Sequence, residues 1–295
     1  MATLNIIGAG KLGRTLGRLW TRARVFAVQD VLAAHAESAA AAVEFIGAGT
    51  AAPALAAMRA AGAWMLAPPD GSIVACCDAL AQSGLLKPGD IVFHCSGALP
   101  SGELAAACRC GAKIASVHPL KSFAEPAVAA QTFAGTCCAA EGDAAAVALL
   151  RPAFERIGAT VTTIDPAGKA LYHAASVIVC NYLTALLETG LRCYERAGFA
   201  RADAQRMMEP LVREGLDQAF KLGTVRALTG PIPRGDHAVI ERELDALDAW
   251  DPRIAAIYRQ LGAVAVELAR AQGKAHPDAL AAIERLLSPE ERMEP

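Results

Sequence analysis

Leu4-Asn5-Ile6-Ile7-Gly8-Ala9-Gly10-Lys11-Leu12-Gly13, near the start of the chain, decides the fold. An apolar strand runs into a G-x-G-x-x-G string, and a helical pattern follows. A glycine string placed directly after a strand and at the opening of a helix has the context of a dinucleotide-binding turn. Gly8 permits the tight turn, Gly10 lets the backbone approach a pyrophosphate, and Gly13 lets the helix pack close to the strand. Gly17, one turn later, extends the same close-packing face. Exposed N–H groups at the helix start then face the anionic phosphates. The helix dipole gives only about 0.3–1 kcal/mol, against roughly 8 for micromolar binding, so the adenosine and nicotinamide pockets must supply most of the affinity. The expected cofactor contacts are Gly8, Ala9, Gly10, Lys11, Leu12 and Gly13. A glycine turn that binds nothing is the alternative, and the strands that follow argue against it.

Apolar strand-like runs at 25–28, 63–67, 91–94, 113–117, 136–140 and 160–164 alternate with helical patterns. Such alternation implies parallel pairing and right-handed crossovers, hence a doubly wound α/β sheet whose ligands bind at the carboxyl ends of its strands. Those ends read Gln29-Asp30, Pro68-Pro69-Asp70, His94-Cys95-Ser96-Gly97 and His118-Pro119. Pro68, Ser96 and Gly97 are expected to line the cofactor, with Ser96 also within reach of substrate. Asp30 lies about 20 residues after the glycine turn, where a carboxylate accepts from a ribose 2′-OH and repels a 2′-phosphate. That favours NAD, although Gln29-Asp30 also reads as an ordinary strand end and nearby arginines could serve NADP. Segments 50–58 and 71–82 read as further flanking helices.

After Asp165-Pro166 the strand-like alternation stops and long helical periods fill the rest. The expected organisation is a dinucleotide-binding domain over 1–165 and an all-helical domain over 166–295. The first long helix, 167–196, has two unlike sides at about 100° per residue. Leu171, Ala175, Ile178, Tyr182 and Ala185 gather on one, and Lys169, His173, Ser176, Cys180 and Thr184 on the other, with Asn181 on its flank. The polar stripe faces either solvent or a cleft.

The chain has 295 residues, a net charge of −2 and no long basic run, so no nucleic-acid partner is expected. No stretch of about 18 apolar residues is read as free of charge or proline, so no membrane span is expected. Met1-Ala2-Thr3 leads directly into the first strand without the pattern of a cleavable leader, which makes a cytoplasmic location the expectation. Arg14, Arg18, Arg22 and Arg24 form the densest basic cluster, read as a solvated helix face or as a source of one cofactor contact. Nine cysteines, none at zinc-ligand spacing, read as small buried thiols, and no metal is expected.

Several motifs follow one another along the chain: Ala67-Pro68-Pro69-Asp70, His94-Cys95-Ser96-Gly97-Ala98-Leu99, Ser116-Val117-His118-Pro119-Leu120 with Ser122-Phe123, Leu171-Tyr172-His173-Ala174-Ala175 and Asn181-Tyr182-Leu183. With Ala227-Leu228-Thr229-Gly230-Pro231 and Arg234-Gly235-Asp236, the chain resembles the Rossmann-like NAD(P) oxidoreductases whose C-terminal helical domain has no established function. It is more distantly similar to pyrroline-carboxylate reductases, ketopantoate reductases, β-hydroxyacid dehydrogenases and prephenate dehydrogenases. The resemblance implies a Rossmann domain followed by a helical domain of the 6-phosphogluconate dehydrogenase C-terminal type. It also implies a small carboxylate-bearing substrate held between the two domains, and a homodimer formed through the helical one. Two departures stand out. Lys169 and Asn181 are several helical turns apart, so they do not form the lysine-asparagine pair of the hydroxyacid group. Gln29-Asp30-Val31-Leu32 lacks the Ser-Arg pairing typical of NADP-selective relatives.

Hydride transfer needs a group that takes or gives the accompanying proton. Histidine, with an unperturbed pKa of about 6.5, suits that role, whereas lysine needs its pKa lowered by burial or a neighbouring cation. His118, His173, Lys169 and Asn181 are the candidates for the reacting centre, each against a structural role. His118, before a proline, is expected to be held extended at a strand end. Arg234 is a candidate for a substrate carboxylate, and Asp236 for the cap of a helix starting near His237. His94 reads as a satisfied strand histidine, and His35 and His276 as exposed. The chain is therefore expected to be an NAD(P)-dependent dehydrogenase or reductase acting on a small keto, hydroxy or imino acid, with a dinucleotide-sensing protein without turnover as the alternative.

Overall fold

β1 (Ala2–Ile7) delivers the chain to Gly8 at φ +95°, and α1 (Lys11–Arg22) begins just beyond. A Cβ on Gly8 would lie 2.2 Å from the backbone nitrogen of Pro68, and one on Gly13 would lie 2.5 Å from the carbonyl oxygen of Gly8. Backbone is therefore pressed against backbone at both positions, and only glycine fits. The computed structural model describes residues 1–288.

Seven strands join β1: β2 (Phe26–Leu32), β3 (Thr50–Ala51), β4 (Ala63–Leu66), β5 (Ile91–His94), β6 (Lys113–Pro119), β7 (Cys137–Gly142) and β8 (Thr160–Thr163). Their order in the sheet is β3-β2-β1-β4-β5-β6-β7-β8. The chain reverses its direction of travel across the sheet between β1 and β4, which opens a crevice at their carboxyl ends. Six helices complete this first unit: α2 (Ala36–Ile46), α3 (Ile73–Gln82), α4 (Ala105–Arg109), α5 (Pro126–Gln131), α6 (Ala144–Glu155) and α7 (Lys169–Ser176).

Neighbouring side chains on a strand go to opposite faces, and the core follows that rule. Leu4, Ile6, Met65 and Phe93 pack on one face with Leu16, Trp20 and Phe154 from α1 and α6. Ile7, Trp64, Leu66 and Val92 pack on the other with Ile73, Leu80 and Leu104. Trp20 anchors the first face, edge-on to Phe26 at 5.3 Å and to Phe154 at 5.2 Å, with its indole N–H donated to the Ala153 carbonyl at 3.0 Å.

Two sequence expectations need correction here. Every pairing in the sheet is parallel except that of β6 with β7, so β7 and β8 run opposite to the other six strands. The short α5 provides no crossover, so the chain turns back beside β6, with the Leu120 N–H donated to the Cys137 carbonyl at 2.8 Å. Segment 50–58 is not a helix: Thr50 and Ala51 pair with Asp30 and Val31, and only a single 3-10 turn follows at Leu55–Ala57. Sheet pairing and Pro53 outweigh the helix preference of the alanines.

A second unit begins at Tyr182. This division lies beyond the boundary expected after residue 165 and leaves α7 in the first unit. The second unit is helical: α8 (Tyr182–Arg196), α9 (Arg201–Leu222), α10 (Thr224–Ala227), α11 (Pro231–Arg234), α12 (His237–Trp250), α13 (Pro252–Gln272) and α14 (Pro277–Leu287). Its core joins Ile232, Ile240, Leu244, Val266, Ile283 and Leu287. The helical run 166–196 is long and apolar enough, by length and composition, to cross a membrane, its most apolar 18-residue window having a mean hydropathy of 1.5. The expectation that no such stretch exists is corrected by residues 170–187, whose only ionisable groups are Tyr172, His173, Cys180 and Tyr182.

The contrast among the turn glycines is testable by denaturant unfolding. Gly13→Ala should cost about 1–3 kcal/mol, since the new methyl group meets rigid backbone. Gly10→Ala, with nothing within 4 Å of the new Cβ, should stay within about 0.5 kcal/mol of the parent.

Candidate functional site

Open space over Gly10 is the first element of the site. Gly10 is the residue before α1, and no side chain caps the N–H groups of that helix. Arg14 lies along the turn, donating to the Ala9 carbonyl from Nε at 3.2 Å and from Nη2 at 3.0 Å. A side-chain-free approach, uncapped donors and an adjacent guanidinium suit a diphosphate, so residues Gly8 to Gly13 fit the group that the fold implies.

Asp30 does not sit where the sequence reading puts it. Ile7 and Leu32 are level at the strand ends, and Asp30 lies two residues short of that edge. It is 3% exposed, and both of its oxygens are taken by Arg59: Oδ2 by the backbone N–H at 2.7 Å and Oδ1 by Nη2 at 2.6 Å. Burial opposes ionisation, but the Arg59 hydrogen bonds hold its carboxyl below the usual range. The carboxylate locks the connection before β4 and is not offered to a ribose. Leu32-Ala33-Ala34-His35, at the true end of β2, holds no acid.

At the ends of β5 and β6 the polar side chains converge. Ser96 donates its hydroxyl to Asp70 Oδ2 at 2.7 Å and accepts from the N–H groups of Ala98 and Leu99, which fixes the loop after β5. His94 is fully buried and accepts from the Ser96 N–H at 3.1 Å. Burial, with Lys169 second, pushes its pKa down to about 4.

Above this loop His118 and His173 lean over Gly97. Their ring centroids are 5.7 Å apart, and a Cβ on Gly97 would come within 2.4 Å of His173 Nδ1 and 2.8 Å of His118 Nε2. Two imidazole nitrogens thus meet over the one residue type that leaves them room. His118 Nδ1 lies 3.0 Å from the Tyr172 hydroxyl. Burial, aided by His173 and Lys169, lowers the His118 pKa to about 4. Burial also raises Tyr172 to about 12, so both groups are neutral near pH 7. His173 Nδ1 is buried and has no hydrogen-bond partner among the described residues.

Lys169 lies beneath these rings, wholly buried, with its ammonium 3.1 Å from Glu141 Oε1 and also bonded to the Ser116 hydroxyl. Glu141 accepts in turn from the Ser101 N–H at 2.7 Å and hydroxyl at 2.6 Å. Burial pulls the Lys169 pKa down while Glu141 opposes it. The polar stripe of the first long helix therefore faces inward along α7, where Lys169, Tyr172, His173 and Ser176 are all partly or wholly covered, and Leu171 on the apolar side is 78% exposed.

That register ends at a π-helical segment, Val177–Asn181. The wider turn shifts the helical phase, so Cys180, Asn181 and Thr184, placed on or beside the stripe by the 3.6-residue period, are exposed. Arg234 is 63% exposed and bonds Asp236 Oδ2 at 2.8 Å. Asp236 precedes α12 as expected but makes no side-chain cap, because its carboxylate is turned to Arg234. Sequence reasoning gave no role to Glu141, Asp70, Ser116 or Tyr172. A lone acid in the apolar run Cys137-Cys138-Ala139-Ala140-Glu141 was the available signal for the first.

Residues 2–119 match the family model of a Rossmann-like domain, and residues 136–265 match a domain of unknown function, DUF2520. The chain is a Rossmann-like domain followed by a DUF2520 domain. No curated protein matches its sequence. Among solved structures, protein TM1727 from Thermotoga maritima has a TM-score of 0.72 at 24% identity, covering 92% of this chain and 100% of its own. A candidate NADP oxidoreductase, BF3122 from Bacteroides fragilis, has a TM-score of 0.69 at 20% identity over 92% and 97%. The pyrroline-5-carboxylate reductase of Coxiella burnetii scores 0.57 at 13% identity over 97% and 98%. At these identities the likeness is one of fold. The site draws on both matched regions: Ser96, Gly97, Ser116 and His118 lie in the Rossmann-like match, and Glu141, Lys169, Tyr172 and His173 in the DUF2520 match.

The buried histidines make stability depend on pH. Folding takes His94 and His118 from an ordinary histidine pKa of 6.5 down to about 4. Below the unfolded value the unfolded chain takes up protons that the folded chain refuses. Stability should therefore fall as pH drops from about 6.5 towards about 4, by up to about 1.4 kcal/mol per pH unit for each histidine. Urea midpoints across that window should show the fall, and His118→Gln should make it shallower.

Proposed function

We propose that this protein is an NAD(P)-dependent oxidoreductase acting on a small keto, hydroxy or imino acid, with His118 handling the proton. One observation carries the reading: the open, uncapped turn at Gly10 and the paired imidazoles over Gly97 lie at the carboxyl edge of one sheet, on either side of its crevice. The names of two fold neighbours, an NADP oxidoreductase and a pyrroline-5-carboxylate reductase, support the cofactor and the substrate class.

Gly10, the first-turn N–H groups of α1 and Arg14 would hold the diphosphate, and Pro68, Ser96 and Gly97 would line the nicotinamide end. A bound nicotinamide dinucleotide supplies or accepts the hydride. Tyr172, kept protonated by burial, donates to His118 Nδ1, which places the single proton of the neutral ring on Nε2. On reduction His118 would give the Nε2 proton to a substrate oxygen or nitrogen as Nδ1 takes the Tyr172 proton, the phenolate being reprotonated from solvent, and on oxidation the relay would run in reverse. Lys169 acts as a positioning residue: its ammonium holds α7 against β6 and β7 and does not reach the open edge. With no acid at the end of β2, nothing there repels a 2′-phosphate, and NADP is admitted as readily as NAD.

A thermal-shift comparison of NAD, NADH, NADP and NADPH tests the cofactor, since a ligand bound only by the folded state raises Tm. At least one should raise it. His118→Gln should keep that shift while kcat falls by about 100-fold or more. A shift without turnover on any keto or imino acid would leave a dinucleotide-sensing protein, and no shift with any of the four would end the reading.

We further propose a homodimer formed through the helical unit. α9 buries only Ala204 among its residues, while Leu211 is 63% and Phe220 90% exposed. Beside it runs an apolar groove of about 710 Å³ lined by Leu186, Met208, Val212, Ile257 and Leu261. A second copy would cover both. Light scattering should give the dimer mass for the parent chain and the monomer mass for Leu211→Glu.

A further inference from the structure

The arginine cluster of α1 divides in space. Arg14 serves the glycine turn, but Arg22 is the last residue of α1 and Arg24 follows it, at the opposite edge of the sheet where β1 and β2 begin. There the two join Arg156 around an open pocket of about 610 Å³, floored by Phe26, Leu149 and Ala153. All three arginines are exposed, and none forms an ion pair among the described residues.

Arg24 is also strained. It has φ +54°, and among the described residues no other non-glycine has a positive φ. Its N–H is donated to the Thr21 carbonyl at 3.2 Å, and the Val25 N–H to the Trp20 carbonyl at 2.9 Å, which is the closing turn of a helix where glycine is ordinarily found. An L side chain at that position costs conformational energy, and no hydrogen bond or ion pair of the guanidinium among the described residues offsets it. Non-glycine residues in this region cluster at sites whose function needs the side chain. The ends of α1 and α6 bring two carbonyl-rich termini here, each equivalent to about half a negative charge, so three guanidiniums leave a surplus of about two positive charges.

We propose that this pocket binds a small polyanion, an organic molecule bearing two or more phosphate or carboxylate groups. Arginine forks match both anions bidentately, and the apolar floor would take the carbon body. The site lies at the sheet edge away from the glycine turn, and its test does not depend on the oxidoreductase reading.

The probes are inorganic pyrophosphate and citrate, titrated calorimetrically into the full chain at low salt, with the parent compared to Arg24→Gly and to an Arg22→Gln, Arg156→Gln double variant. At least one probe should bind the parent. Either variant should weaken it by tenfold or more, and Arg24→Gly alone should raise the Tm of the free protein by a few degrees as the strain is released. Binding of pyrophosphate alone assigns a phosphorylated ligand, and binding of citrate a carboxylate-bearing one. No heat with either probe, or binding that survives both variants and so belongs to the glycine turn, overturns the proposal.

Discussion

The ion pair of Lys169 with Glu141 is the interaction on which the candidate site depends. Both groups are out of water, at 0% and 1% side-chain exposure. Desolvating two charges is expensive, and their mutual attraction repays it only when the remaining donors and acceptors are also satisfied. Here Ser116 and Ser101 complete the set. Removing one partner of such a pair typically costs about 3–5 kcal/mol, because the other is left buried and alone. The pair fastens the first turn of α7 to β6 and β7. Tyr172 and His173, three and four residues on, are thereby set over His118 and Gly97.

What was legible in the sequence is what local chemistry dictates. The strand ends, the glycine turn and the inward role of His94 follow from periodicity, from backbone conformations open to glycine, and from a histidine inside an apolar run. Asp30 has the right spacing from the turn but the wrong height in the strand, and only the register of β2 on β1 reveals the difference. A single period misplaces Asn181, because the helix changes its winding at Val177. The reversal at β7 and the partnership of Glu141 with Lys169 join residues remote in sequence, and no local pattern announces them.

The division between the two matched regions also bears on the chemistry. His118 comes from the Rossmann-like match, but its phenolic partner, the facing imidazole and the charge pair beneath come from the DUF2520 match. A nucleotide-binding sheet alone would present one histidine at a strand end, free to titrate near its ordinary value. Covering it with α7 keeps it neutral and orients its protons, so the segment with no assigned function sets the protonation state of the residue beside it.

The Asp30–Arg59 lock has a consequence for anyone seeking to re-engineer nucleotide preference. The customary target is the acid late in the second strand, exchanged for a smaller or basic residue. In this chain that exchange would release the Arg59 backbone and guanidinium together, and with them the segment tied down by Asn5 and Gln29. The outcome would be a loosened inner scaffold with selectivity unaltered. Redesign belongs instead at Ala34 and His35, where the strand has already ended and the side chains are exposed.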